Sequence, residues 1–283
     1  MTVFAVTLGL LAIFSIALVI VRWSDTRRES GVWRKLVATA DDSVPAFEPS
    51  MVDVLPEPAR RYFLFTIRLG TPLHTVSEIQ MGGEMGLGDK ENPNYQPMRG
   101  HQILAPPRGL VWKVTSGHGG MRLIGSDGFD GERSWTRFWL LNILPVVRVG
   151  GDGDHARSAF GRVVAEAVFW APAALLPQNG TNWEAVDDNT ARATVSLKGF
   201  TQTVDVSVAE DGQPVMVVIP RWSNANPEKT YQVQPFGGFL SEFREFDGFR
   251  IPTRVEGGNF IGTVDYFPFY KAEVESVRFG AGE

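Results

Sequence analysis

The chain contains no cysteine, which excludes disulfides, thiolate metal sites, iron–sulfur clusters and a cysteine nucleophile. Histidine is scarce: His74, His101, His118 and His155 are scattered without metal-pair spacing and read as surface or loop residues. Positive charge is not in surplus. The 27 Lys and Arg stand against 32 Asp and Glu, a net charge of -5, so the phosphate-neutralising surface of a nucleic-acid binder is missing. There is no Gly-x-Ser-x-Gly elbow and no phosphate loop ending in Gly-Lys-Ser or Gly-Lys-Thr. The glycine cluster Gly82 to Gly88 departs from the dinucleotide fingerprint and reads as a turn or bulge. Asp152-Gly153-Asp154 places two carboxylates on a glycine loop but lacks the downstream Glu of a calcium loop, and suits the start of a helix better. No metal site and no cofactor is implied. Repeats and low-complexity tracts are also lacking.

What the chain does have is an apolar run. Met1 to Val21 carry no charged side chain, and about twenty helical residues cover roughly 30 Å, the hydrocarbon thickness of a bilayer. No basic residue precedes the run and no small-residue cleavage site ends it, so an uncleaved anchor is expected rather than a signal peptide. Residues 2–21 therefore make the membrane the first predicted partner. Arg22, Arg27, Arg28, Arg34 and Lys35 follow, with Trp23 and Trp33 suited to the interface, and this flank favours a cytoplasmic C-terminal body.

Three regions follow from composition: a transmembrane anchor at 1–22, a basic juxtamembrane neck and linker at 23–46, and a single β-rich soluble domain at 47–283. A short helical continuation runs from Leu36 towards Asp41-Asp42-Ser43-Val44-Pro45, which reads as the linker. Ala59, Tyr62, Phe63 and Thr66 recur at helical spacing after Pro56-Glu57-Pro58, with Arg60 and Arg61 expected as solvated neighbours. Leu73 to Glu84 and Gly100 to Thr115 read as strand, and Gly88 to Pro97 as a polar loop. Phe160, Val163, Val164, Ala167 and Ala171 follow helical spacing, and Pro172 breaks or bends this internal helix. Six strand-like runs come next, between Ala191 and Phe279, joined by turns such as Asp211-Gly212 and Asp247-Gly248. Thr203, Asp205 and Ser207 interleave with Val204, Val206 and Val208, so one sheet face is apolar and must be covered. The fold class is α+β, mainly antiparallel β: a curved half-barrel-like sheet around an internal helix, preceded by one transmembrane helix.

Chemistry is confined to few candidates. Glu166 stands on the internal helix among apolar residues; it either pairs with Arg162 on the surface or faces a cavity as a general acid or base. Trp135, Phe138, Trp139, Phe169 and Trp170 form an aromatic set that either fills a core or lines an apolar ligand pocket. Four blocks, Leu55 to Tyr62, Ala165 to Pro177, Trp183 to Asp188 and Phe243 to Thr253, resemble a bacterial family of uncharacterised membrane-anchored proteins. The last block is also similar to the closing hairpins of the lipoprotein-carrier superfamily, whose members hold acyl chains between a half-barrel sheet and helices. That resemblance implies a lipid or lipopeptide cavity and no catalytic residue, and its extracytoplasmic habit leaves the membrane side open. The expected function is membrane-anchored binding of a hydrophobic or amphiphilic ligand. The alternatives are an enzyme acting on a membrane-associated substrate through Glu166, and a membrane-tethered scaffold.

Overall fold

The computed structural model describes residues 2–41 and 43–280; Met1, Asp42 of the expected linker and residues 281–283 lie outside the described residues. Helix α1 (Thr2–Val37) runs unbroken from the apolar segment through the basic neck. It contains an apolar stretch long enough to cross a membrane. The expected helical continuation towards Ala46 stops at Val37, where a turn begins. Helix α2 (Glu57–Thr66) has Pro58 in its first turn and buries Ala59, Tyr62, Phe63 and Thr66, the spaced residues of the sequence pattern.

Thirteen strands form one open antiparallel sheet. The first meander is β1 (Ser77–Gly86), β2 (Tyr95–Ala105), β3 (Gly109–Ser116), β4 (Leu123–Phe129), β5 (Ser134–Leu140) and β6 (Leu144–Gly150). Helix α3 (Gly153–Trp170) then crosses to the far edge. The second meander is β7 (Asn182–Ala185), β8 (Thr190–Leu197), β9 (Phe200–Val208), β10 (Pro214–Ser223), β11 (Gln232–Phe246), β12 (Phe249–Asn259) and β13 (Phe267–Phe279). The two meanders join where β1 pairs with β13, leaving β6 and β7 as edges. The run expected as strand over Gly100 to Thr115 is two strands, because Pro106 and Pro107 have no N–H for a ladder and turn the chain. Gly82 and Gly83 lie within β1 instead of in a turn, and β2 already begins at Tyr95, inside the expected polar loop.

Strand alternation sorts side chains onto an inner face, packed on α3 and α2, and an outer face. In β9, Val204, Val206 and Val208 are buried, as the alternating sequence requires. On the inner face Phe160, Val163, Val164 and Ala167 of α3 join the main core. The Tyr62 hydroxyl donates to the Val168 carbonyl at 2.6 Å and ties α2 to α3. Arg61, expected to be solvated, donates to the carbonyls of Ala209 at 2.9 Å and Asp188 at 2.6 Å, fastening α2 to the β7–β8 and β9–β10 turns.

The outer face of the first meander is partly covered by the second half of α1. Val32 and Leu36 pack with Val76, Ile103, Val111 and Trp135 in a separate small core. Asp25, 5% exposed, pairs with Arg137 and Arg148 of β5 and β6, while Glu29 pairs with Lys113 of β3. The neck is thus fixed to the sheet along its length. Asp25→Ala leaves two guanidinium groups without their shared carboxylate and is expected to cost about 2 kcal/mol of stability. Hydrogen exchange should show faster exchange selectively at amides of residues 22–37; unchanged exchange there would show that the ion cluster does not hold the neck.

Candidate functional site

Along α3, Arg162, Ala165, Glu166 and Phe169 recur at i, i+3, i+4 and i+7, so they share one stripe of the helix. All four face an inner cavity of about 220 Å³, whose other walls come from β10 to β13 and from the first meander. Phe138, Phe169 and Trp170 supply aromatic surface, and Gly237, Gly238 and Gly257 supply bare backbone. Gly237 pairs with Gly258 and Gly238 with Gly257 across β11 and β12. A Cβ at Gly238 would meet the Glu256 carbonyl at 1.6 Å, whereas one at Gly257 would meet nothing closer than 3.9 Å. Gly238 is thus required by close backbone approach, and Gly257 keeps cavity space open.

A polar cluster occupies one end. Arg162 donates to Glu166 Oε1 at 2.5 Å, to Asp127 Oδ2 at 3.1 Å and to Gln102 Oε1 at 3.1 Å, and lies over the Trp112 ring. Gln102 Nε2 donates to Glu166 Oε2 at 2.6 Å, so both oxygens of Glu166 are engaged. The Arg162–Glu166 pair expected on the surface is real, but it is buried and borders the cavity, which joins the two readings of Glu166. Burial pulls the Arg162 guanidinium down, yet the Glu166 and Asp127 carboxylates more than offset this and hold its pKa above the ordinary arginine value.

Arg221 of β10 is different. Its Nε donates to Ser158 Oγ at 3.2 Å and its guanidinium lies 4.5 Å from the centre of the Phe236 ring. Among the described residues no carboxylate oxygen comes within 4.0 Å of it. Burial, with Arg162 nearby, pushes its pKa down to about 10. It is a charged donor at the cavity wall, and among the described residues no acceptor is bonded to its terminal nitrogens.

Of the sequence-predicted aromatic set, Phe138, Phe169 and Trp170 meet in this cavity, and Trp135 and Trp139 do not line it. The period of two in β5 separates them: Phe138 points inward, while Trp135 and Trp139 point outward to α1. There Arg28 lies over Trp135 and Arg22 over Trp139. Arg221 and the facing glycine pairs were not singled out from the sequence. The doubled glycines in two neighbouring strand-like runs were the available signal. The second aromatic run, Tyr266 to Tyr270, contributes Phe269 and Tyr270 to the cavity.

Asp152 caps α3, accepting from the His155 N–H at 2.7 Å, in keeping with the helix-start reading of this loop. His155 itself is drawn in, its Nδ1 within 2.6 Å of Ser134 Oγ and its Nε2 within 3.3 Å of Thr136 Oγ1. His101 sits beside Glu78 and against Trp33 of the neck.

Fold and site together define a half-barrel protein with an apolar inner cavity, and an apolar helix at its N-terminal end. The chain belongs to the family of unknown function DUF6544, whose profile matches residues 45–272. No curated protein matches it. Among solved structures it is similar to a LolA superfamily protein from Nitrosomonas europaea, at 12% identity and a TM-score of 0.38, covering 84% of this chain and 94% of that one. A DUF1329 family protein from Desulfovibrio piger is similar at 10% identity and a TM-score of 0.41, covering 74% and 88% respectively.

Two outcomes test the polar groups. Glu166→Ala strands Arg162 in a poorly solvated site and is expected to lower unfolding stability by about 3 kcal/mol in denaturant titration; a loss below about 1 kcal/mol would mean the pair is solvated. Burial, partly opposed by Asp127 and Asp152, holds the His155 pKa below its ordinary value of 6.5. The unfolded chain therefore takes up this proton first, and stability falls as pH drops through 6.5 towards the folded value. His155→Gln should gain stability relative to the parent as pH is lowered from about 7.5 to 5.5; a difference independent of pH would refute the assignment.

Proposed function

We propose that this is a membrane-anchored binding protein for a hydrophobic or amphiphilic, lipid- or lipopeptide-like molecule. The observation that carries the reading is the inner cavity, kept open by Gly257 opposite an aromatic stretch of α3. Its apolar walls favour a hydrocarbon segment.

The polar end of the ligand lies towards Arg221. Asp127 and Glu166 are already engaged with Arg162, so an incoming acceptor, such as a carboxylate, phosphate or ester oxygen, has Arg221 as its donor. Pairing there offsets the cost of a desolvated guanidinium. Helix α1 serves as an uncleaved single-pass anchor, and its basic flank favours the cytoplasmic side for the body.

The test is photo-crosslinking of a diazirine-bearing medium-chain fatty acid to the full chain in nanodiscs, mapped by peptide mass spectrometry. Cross-links are expected at peptides containing Phe138 and Phe169-Trp170. Gly257→Phe, which fills the cavity, should remove them while leaving labelling of the apolar helix intact. Arg221→Gln should weaken capture of the acid more than of its methyl ester. Labelling of α1 alone in the parent protein would sink the binding reading.

A further inference from the structure

The β5–β6 hairpin breaks the ordinary rules for a water-exposed turn. Leu141 and Asn142 both adopt left-handed backbone, at φ 51° and 63°. Asn tolerates that conformation, but Leu is strained in it, and local chemistry would place Gly or Asp there. The tip also displays apolar side chains to the outside: Leu141, Ile143 and Leu144 are 47%, 60% and 48% exposed. Val146, at the register shift of the β5–β6 pairing, extends the apolar surface along β6, an edge strand with little cover. Met121 adds to it, because the Leu141 N–H donates to the carbonyl of Arg122 beside the tip. A strained, apolar tip on an uncovered edge strand is a liability in water.

Its position identifies what covers it. Arg22 is the first charged residue after the apolar run, and its Nε donates to Asn142 Oδ1 at 2.6 Å. The tip therefore sits level with the point where α1 leaves its apolar stretch. The ion cluster of Asp25 with Arg137 and Arg148 fixes the hairpin to the helix just beyond that contact. Of the charged groups, Arg22 is bonded to the tip through Asn142 and the Arg122 carbonyl accepts from the Leu141 N–H, while Arg137 and Arg148 share Asp25 farther down the hairpin. Trp23, exposed and beside Arg27, adds an interfacial side chain. An apolar tip flanked by Arg22 and Arg122 is complementary to the acyl and headgroup boundary of an anionic bilayer.

We propose that the β5–β6 tip, Leu141 to Leu144, inserts into the same membrane leaflet in which α1 ends, giving the body a second point of attachment and a fixed orientation on the lipid surface. This rests on the reading of α1 as a membrane span, and the two are separable by experiment.

Since the chain has no cysteine, single Cys variants can be spin-labelled without further changes. Ile143→Cys, Ile13→Cys within the apolar run and Val186→Cys, in the exposed β7–β8 turn at the opposite end of the sheet, are prepared as full chains in nanodiscs containing anionic lipid. Power-saturation EPR then compares accessibility to oxygen, which partitions into lipid, with that to a water-soluble nickel chelate. The expected result is a shift of the 143 label from the aqueous ratio of the 186 label towards the lipid ratio of the 13 label. An aqueous ratio at 143 with a lipid ratio at 13 overturns the insertion and leaves the anchor standing. An aqueous ratio at 13 overturns the anchor itself. Met121→Cys, on the neighbouring loop, reads the same patch if the label at 143 disturbs the turn, and an aqueous ratio there counts equally against insertion.

Discussion

The structure turns on the buried guanidinium of Arg162. An apolar helix enclosed by a sheet has no natural place for a charge, and leaving one unpaired would cost more than the surrounding packing returns. Its acceptors come from three elements: Glu166 one helical turn on, Asp127 from β4 and Gln102 from β2. To satisfy all of them, α3 must sit at one rotation and one depth against the first meander. The same rotation points Phe169 and Ala165 into the space between α3 and the second meander, where the cavity opens. The charge cluster is thus a register pin for the helix, and the apolar pocket follows from where that pin holds it.

Much of this architecture was legible because its causes are local. The spacing of Phe160, Val163, Val164 and Ala167 gives the inner helix, and the alternation of Val204, Val206 and Val208 gives a sheet with one apolar face. The missed features depend on partners far away in the chain. Trp135, Phe138 and Trp139 look alike as a cluster of rings, but strand parity places Phe138 inside and the two tryptophans outside, and parity cannot be applied until the strand is recognised. Nothing in Pro220-Arg221-Trp222 marks Arg221 out. Only the sheet brings it near Arg162 and, among the described residues, leaves it without a carboxylate oxygen within 4.0 Å.

The neck shows the same limit from another side. Its arginines read as a topology signal, and for Arg22 and Arg28 the sequence offers no hint of the tryptophans they cover on β5. A helix of 36 residues with its second half bound across the sheet works as a strut and not as a tether. Movements of the body relative to α1 are therefore restrained by ion pairs and a small core, whereas a flexible linker would have left the body free to tumble.

The pairing of β1 with β13 also has a consequence for how the protein is made. Glu78 and Arg278, ion-pair partners on these strands, are 200 residues apart. During synthesis β1 emerges before any other strand and receives its second neighbour last, after α3 has crossed and the whole second meander has been produced. Until then the first meander has an open interior edge and an inner face without its helix. Such non-local closure is slow and leaves sticky surface exposed. The vulnerable period in the life of this protein is thus the interval between its first strand and its last, when the half-barrel is only half built.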